Sequence, residues 1–183
     1  ASMLFSLGVK DCKIVSDKDV LKMKDEICSA ALAVSVLALT PKMYNYRYNQ
    51  LKAAGQNLNH LLSSGHAAAL TGVIGKCQNC GYALVDRFAV HNDITQRIHE
   101  KYPAVKVVQM PKAEADIAVA AASVLARAEF LRIMAELEAQ AGMPLPKGGS
   151  DAATNCARII AEKFGRESLV NFVKLHFANY KRI

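Results

Sequence analysis

Two acidic residues, Asp86 and Glu114, stand at positions where a carboxylate could take part in chemistry. Asp86 ends a short apolar segment, 82–86, that has the pattern of a buried strand. In open α/β sheets ligands usually bind at the carboxyl ends of the strands, so an acid placed there is a candidate for ligand binding. Glu114 lies near the start of 112–138, a stretch of strong helix formers that contains neither Gly nor Pro.

Each of these acids also has a purely structural interpretation, and the residues alone leave both interpretations open. An aspartate at the end of a strand can simply cap the following loop. An acid in the first turn of a helix is stabilised by the positive end of the helix dipole, and Glu114 and Asp116 both have that position. The types and spacing of the residues are therefore compatible with a functional site and equally with purely structural roles.

The elements that must position these acids alternate along the chain. Helices are predicted at 16–28, 58–76, 93–102, 112–138, 150–164 and 167–177, and strands at 31–39, 82–86 and 105–110. The alternation predicts an α/β fold with a mostly buried sheet. The long helix 112–138 has small side chains through its middle, which predicts close packing against that sheet. A polar, aromatic segment follows Pro41.

The bulk composition restricts the class of protein. The chain has 183 residues, 52% of them hydrophobic, which predicts a single globular domain over 1–183. A net charge of +7 favours an anionic partner, of which nucleic acid is the commonest. No apolar run has the length of a membrane span, and no secretory signal is evident. The five cysteines are irregularly spaced, so we predict a cytoplasmic protein without a membrane partner.

Two of the cysteines, Cys77 and Cys80, have the spacing of half a zinc site. The other three cysteines are scattered and supply no second pair of this spacing. A turn between a helix and a strand is therefore favoured over a zinc site at this position.

Several segments resemble one family, the type 2 ribonucleases H, and ribonuclease HIII in particular. The segment Lys112-Ala113-Glu114, followed by Ala120-Ala121-Ala122-Ser123, is similar to the Lys-Ala-Glu helix of that family. Further matches follow in the same order along the chain: Gly8 to Lys13, Leu39 to Asn45, Asn57 to Asn59 with the later His66, Val85 to Phe88, Leu145 to Gly148, and Lys174 to Asn179. The resemblance thus runs from about Gly8 to the end of the chain.

The resemblance implies a fold, an activity and a metal site. The implied fold is ribonuclease H-like, with a central mixed sheet flanked by helices. The implied activity is endonucleolytic cleavage of the RNA strand of RNA/DNA hybrids, with Asp86 and Glu114 as catalytic metal ligands for Mg²⁺ or Mn²⁺. Such ions can activate a water molecule and stabilise the leaving oxygen of a phosphodiester. The intact enzyme is expected to be a monomer.

The same resemblance implies a set of residues that contact the substrate. These are Lys10, Asp11, Cys12, Lys13, Tyr44, Asn57, Asn59, Lys112, Ser123, Lys147, Lys174 and His176. Each lysine taken alone is more simply explained as a solvated surface charge. Cys12 stands where the family has serine, and a thiol is the weaker hydrogen-bond donor.

The chain also departs from the pattern of the family at its beginning. The family opens its catalytic domain with a strand that ends in Asp-Glu-x-Gly-x-Gly and supplies two of four carboxylates, and no match to this strand is found here. The resemblance likewise implies that the small N-terminal substrate-binding domain of ribonuclease HIII is not represented in this sequence. Asp25-Glu26 lies within a predicted helix and cannot replace the motif. The sequence is therefore interpreted either as a truncated fragment of the enzyme or as a non-catalytic nucleic-acid-binding module.

Overall fold

A computed structural model of the protein describes Leu4 and residues 15–77, 79–90 and 93–183. In chain order, the helices are α1 (Asp17–Ala30), α2 (Pro41–Ala53), α3 (Leu58–Ile74), α4 (Ile94–His99), α5 (Ile117–Ala141) and α6 (Asp151–Phe164). The strands are β1 (Tyr82–Asp86) and β2 (Lys106–Met110), and 3-10 turns cover Ala113–Ala115, Arg166–Asn171 and Ala178–Arg182. None of the described helices is both long enough and apolar enough to span a membrane.

The chain divides into two compact units. The first unit comprises Ala1–Leu37 with Leu58–Leu131, and the second comprises Ala38–Asn57 with Arg132–Ile183. Asp86 and Glu114 both belong to the first unit. The expectation of a single domain stays a prediction.

The sheet of the first unit pairs β1 with β2 in parallel, with Asp86 opposite Met110. The backbone N–H of Arg87 continues the ladder by donating to the carbonyl of Met110 at 3.0 Å. Side chains of α3 and α4 pack with the two strands into one hydrophobic cluster, whose fully buried members include Ile94 and Ile98. The predicted α/β class and the predicted strand 82–86 are confirmed, and the predicted strand 105–110 begins one residue later. The sheet of the described residues is a parallel pair of strands rather than the predicted mixed sheet.

The predicted buried strand 31–39 is wrong, because this segment has no regular secondary structure and pairs with no strand among the described residues. Leu32 is 99% exposed, and Val36 is also exposed. Contacts from α3 and the residues after it hold the segment instead: the ammonium of Lys76, two residues beyond the end of α3, donates to the carbonyl of Val34 at 2.8 Å. A Cβ added to Gly72 of α3 would collide with the Ser35 side chain, which explains a glycine inside that helix.

The predicted helix 112–138 is interrupted near its start. Ala113–Ala115 forms a separate 3-10 turn, and α5 begins only at Ile117. The carboxylate of Asp116 accepts the backbone N–H of Ala118 at 2.8 Å, as a residue that caps a helix does. The interpretation of Glu114 as an acid in the first turn of the long helix is therefore wrong.

The small residues of α5 pack against a helix rather than against the predicted sheet. Ala120, Ala121 and Ala128 form one buried cluster with Val20 and Ile27 of α1. A methyl side chain lets a neighbouring helix approach closely. The small residues therefore permit the predicted close packing, but against α1.

The second unit has its own core, in which α6 packs against the segment that follows it. Buried Cys156, Ala157 and Ile160 of α6 lie with Ala141 and Leu169. The predicted last helix 167–177 is shorter than expected, because only the 3-10 turn Arg166–Asn171 forms in this region. The polar segment after Pro41 forms α2, which is capped by the side chain of Thr40.

Candidate metal-binding site

A side-chain hydrogen bond joins the end of β1 to the residue that precedes Glu114. The Oδ1 atom of Asp86 accepts the backbone N–H of Ala113 at 3.2 Å. Ala113 is almost fully buried, so water cannot easily replace this acceptor. The bond therefore fixes the backbone at Glu114 beside the carboxyl end of β1.

The backbone conformation of Lys112 makes this approach possible. Lys112 has a φ of +56° and is the one residue other than glycine with a positive φ among the residues described. A left-handed conformation costs a side-chain-bearing residue about 1–2 kcal/mol. It reverses the chain between the end of β2 and the 3-10 turn. Strain of this kind is often found at functional sites.

Replacing Lys112 with glycine tests this strain. Glycine adopts a positive φ freely but has a more flexible unfolded state, so we expect Lys112→Gly to be unchanged in unfolding free energy or stabilised by up to about 1 kcal/mol. Lys22→Gly is the matched control, since Lys22 is exposed within α1, and there glycine is expected to destabilise by about 1 kcal/mol. Urea unfolding of both variants measures the difference. Equal destabilisation of the two would contradict the strain.

Asp86 ends β1, and Glu114 directly follows Ala113, whose backbone N–H donates to the Asp86 carboxylate. No group of three or more His, Cys, Asp or Glu placed to ligate a metal occurs in the described part of the chain. Mg²⁺, however, is commonly held by one or two carboxylates together with water and substrate phosphates. The two acids therefore fit a metal site that a phosphate-containing substrate would complete.

His66 of α3 also lies near the carboxyl end of β1, although the sequence analysis did not place it in the site. Its imidazole stacks on the ring of Phe88, with the ring centroids 5.0 Å apart. Burial lowers the pKa of His66, and the negative charge of Asp86 acts in the opposite direction. The position of His66 within the family resemblance was the signal that could have identified it.

The other predicted contact residues of the first unit have varied surroundings. Lys112 and Asn59 are exposed. The Ser123 hydroxyl donates to the carbonyl of Ala120 within its own helix at 2.8 Å. Lys10, Asp11, Cys12 and Lys13 lie outside the described residues. The roles of all these residues in substrate binding stay predictions.

In the second unit, Asn45 holds the C-terminal segment against α2. Its amide nitrogen donates to the carbonyls of Val170 and Val173 at 3.1 and 2.8 Å. Its amide oxygen accepts the backbone N–H of Leu175 at 2.9 Å. Asn45 is buried, so one side chain satisfies three backbone groups that lie about 130 residues away in sequence. Two segments of the family resemblance therefore meet here.

The predicted contact residues Tyr44, Lys174 and His176 form an aromatic cluster beside Asn45. The imidazole of His176 lies 5.4 Å from the ring of Tyr44 and 4.8 Å from that of Tyr48, between ring centroids. The Lys174 ammonium lies 4.5 Å over the centroid of Tyr44. Burial lowers the pKa of Lys174 and raises that of Tyr44. Tyr44 is buried, and its ring also stacks on that of Tyr48 within α2.

The pKa of His176 predicts a loss of stability in mild acid. Burial, and then the charge of Lys174, lower this pKa below its ordinary value of 6.5. Above that pH the imidazole is neutral in both the folded and the unfolded state. As the pH falls through 6.5, the unfolded state takes up a proton that the folded state resists, so the free energy of unfolding falls.

His176→Gln isolates this effect, since glutamine does not titrate. We expect the variant to lose less stability than the parent between pH 7.5 and pH 5, measured by urea unfolding at each pH. The other groups titrate equally in both proteins, so their contributions to the pH dependence of stability cancel in the comparison. The same pH dependence in parent and variant would be inconsistent with a perturbed His176.

The basic charge is unevenly distributed between the two units. The second unit contains eleven Lys and Arg against five Asp and Glu, whereas the first contains twelve against eleven. The second unit therefore carries a net charge of +6 out of the total of +7. Asn57 and Lys147, two further predicted contact residues, belong to this unit and are exposed.

Comparison with solved structures defines the class of fold. The structure is similar to that of Bst-RNase HIII in complex with Mn²⁺, with a TM-score of 0.86 at 27% sequence identity. The similarity covers 99% of this chain and 59% of that one. Aquifex aeolicus RNase H3 shares the fold, with a TM-score of 0.68 at 24% identity. The predicted ribonuclease H-like fold is thus confirmed.

Comparison of sequences identifies the family. The family model described as Ribonuclease HII matches residues 1–180, so this chain belongs to that family. Ribonuclease HIII of Protochlamydia amoebophila (strain UWE25) is 36% identical over 176 residues, which are 96% of this chain and 56% of that protein. Ribonuclease HIII of Bacillus cereus (strain AH187) is 32% identical over an alignment of 185 positions, which covers 98% of this chain and 58% of that protein. The chain therefore spans somewhat more than half the length of these relatives.

Proposed function

We propose that this chain supplies the substrate-contacting surface and two metal ligands of an endonuclease that cuts the RNA strand of RNA/DNA hybrids. The observation that carries the proposal is the hydrogen bond from Ala113 to Asp86, which brings Glu114 to the end of β1. Membership of the ribonuclease HII family supports the choice of substrate. The proposed enzyme acts in the cytoplasm as a monomer.

The proposed metal ligands are Asp86 and Glu114, and the proposed ion is Mn²⁺ or Mg²⁺. The similarity to a ribonuclease HIII whose structure is described with Mn²⁺ supports a divalent ion. When bound, such an ion makes a water molecule more acidic and neutralises charge that develops on the phosphate. Asp86 also keeps the turn at Ala113 in place through its Oδ1 atom, which gives it a second role.

The proposed substrate contacts include residues of both units. Exposed Lys112 would hold a backbone phosphate, and Asn59 and Ser123 would reach sugar or base edges. A protein distinguishes RNA from DNA through the 2′-hydroxyl, for which such polar side chains are suited. In the second unit, Lys147 and Lys174 would add phosphate contacts, and Tyr44, Asn57 and His176 would complete the proposed set.

Cleavage of four labelled substrates tests this function. The chain is joined to the part of Protochlamydia ribonuclease HIII that it does not match, so that the product has the length of its relative. With MnCl₂, we expect cuts in the RNA strand of an RNA/DNA hybrid, and no cuts in duplex DNA, duplex RNA or single-stranded RNA. The intact Protochlamydia protein is the positive control. If that control cuts the hybrid and the joined protein does not, the proposal is wrong.

The charge of the second unit favours a second candidate function, binding of nucleic acid without catalysis. A net charge of +6 concentrated in one unit suits sequence-independent phosphate contact. Fluorescence anisotropy with a labelled hybrid at two salt concentrations measures such binding. Salt-sensitive binding together with an inactive joined protein would favour this candidate. Absence of binding at low salt would exclude both functions for this chain.

A further inference from the structure

The connection between α3 and β1 brings two cysteines into a tight turn. The backbone N–H of Cys80 donates to the carbonyl of Cys77 at 3.2 Å. A four-residue turn of this type places its first and fourth Cα atoms less than about 7 Å apart. Disulfides join Cα atoms that are about 4.4–6.8 Å apart. The backbone of this turn is therefore compatible with a bond between the two sulfur atoms.

Both thiols are free and partly exposed, but their surroundings differ. Cys80 packs against the hydrophobic cluster of the first unit. Its thiol also donates to the carbonyl of Tyr82, with 3.5 Å between sulfur and oxygen. Cys77 follows the end of α3, and its backbone N–H donates to the carbonyl of Ile74. The sulfur of Cys77 is consequently the one better suited to react first.

An open cavity of about 450 Å³ adjoins both cysteines. Its wall also includes Lys101, Tyr102 and Pro103. A cavity of this size can hold a small molecule, for which the usual range is about 300–1,000 Å³. Lys101 supplies a positive charge, so an anionic small molecule suits the cavity. Both cysteines thus line the same cavity as Lys101 in the first unit.

We propose that Cys77 and Cys80 are a redox pair that reacts with an anionic small-molecule disulfide, such as oxidised glutathione, bound in this cavity. The Cys77 thiolate attacks one sulfur of that disulfide, forms a mixed disulfide and releases one thiolate. The Cys80 thiolate then attacks the Cys77 sulfur, forms the protein disulfide and releases the second thiolate. The protein pair loses two electrons and two protons, and the small-molecule disulfide becomes two thiols.

Zinc binding is the other chemistry that two cysteines at this spacing suggest. A structural zinc site takes four ligands. The described residues contain no group of three or more His, Cys, Asp or Glu placed around a metal. The pair together with the adjoining cavity therefore fits thiol exchange better. The bond closes a very short loop, so it is expected to shift the melting temperature little.

Mass spectrometry of the whole chain in glutathione buffers tests the proposal. In the parent protein we expect a bond between Cys77 and Cys80, seen as the loss of two hydrogens in the linking peptide and reversed by dithiothreitol. In Cys80→Ser we expect one glutathionyl group to accumulate on Cys77, because no second thiol displaces it. In Cys77→Ser the modification of Cys80 is expected to be at least tenfold slower.

Cys28 provides the internal control, since it is exposed and lies outside this turn. Its glutathionylation reports the general reactivity of an accessible thiol in the same sample. The proposal is overturned if Cys28 is modified while Cys77 and Cys80 both stay reduced. It is also overturned if the parent protein accumulates stable glutathionyl groups at the turn without forming the internal bond. The parent measurement requires no substitution, so misfolding of a variant cannot hide either result.

Discussion

Asp86→Asn is expected to abolish metal-dependent cleavage while leaving the fold intact. The Oδ1 atom of asparagine can still accept the N–H of Ala113, so the turn at Glu114 should be kept. The negative charge that binds a cation is lost. Mutation of a residue that only supports a metal ligand typically lowers metal affinity or activity by about 10–100-fold. We therefore expect hydrolysis of the hybrid by the joined protein to fall by more than about 100-fold, with a melting temperature close to that of the parent.

Asp86→Ala separates the two roles of this side chain. Alanine removes both the charge and the acceptor, so the buried N–H of Ala113 is left without its hydrogen bond. We expect the same loss of cleavage, accompanied by a destabilisation of about 1–3 kcal/mol in urea unfolding. Equal stability of the Asn and Ala variants would contradict the structural role. Full activity of Asp86→Asn would contradict the metal role.

Asn45→Ala is expected to produce the largest loss of stability among these variants. The change leaves two carbonyls and one N–H of the C-terminal segment without the side chain that satisfies them. Each lost hydrogen bond costs about 1 kcal/mol, and buried unsatisfied groups cost more. We expect the free energy of unfolding to fall by about 3–5 kcal/mol in urea unfolding.

Asn49→Ala is the matched control, because Asn49 lies one turn further along α2 and is exposed. Its replacement should change the unfolding free energy by less than about 0.5 kcal/mol. Asn45→Asp keeps an acceptor for Leu175 but aims a negative charge at the carbonyls of Val170 and Val173. It should therefore be at least as unstable as Asn45→Ala. Similar stability of the Asn45 and Asn49 variants would contradict the role of Asn45.

Elements with strong local signals could be predicted from the sequence. The predicted helices at 16–28 and 150–164 form as α1 and α6, and each is capped by the serine at its start, whose side chain accepts one of the first free N–H groups. The strand 82–86 has the predicted bounds, since four apolar residues followed by an acid form a recognisable pattern and a partner strand, β2, is present. Asp86 could be placed at a strand end for the same reason.

Features that depend on distant partners could not be predicted. The segment 31–39 has the composition of a strand, but strand formation needs a neighbouring strand, and this segment lies on α3 instead. Lys112 gives no sequence signal for its left-handed conformation, which normally favours glycine. The contact of Asn45 with residues 170–175 joins regions far apart in sequence. The family resemblance marked both of these segments without indicating that they meet.

Binding of Mn²⁺ tests the central claim, that Asp86 and Glu114 form a metal site completed by substrate, most directly. The electron paramagnetic resonance signal of free Mn²⁺ is recorded in a mixture of the chain and an RNA/DNA hybrid. The loss of signal caused by the chain alone and by the hybrid alone is then subtracted, which leaves the Mn²⁺ bound only by the two together. We expect additional Mn²⁺ to be bound by the parent chain and by Asp151→Asn, which changes an exposed acid of the second unit. We expect none in Asp86→Asn or Glu114→Gln. Equal binding by all four proteins would contradict the claim.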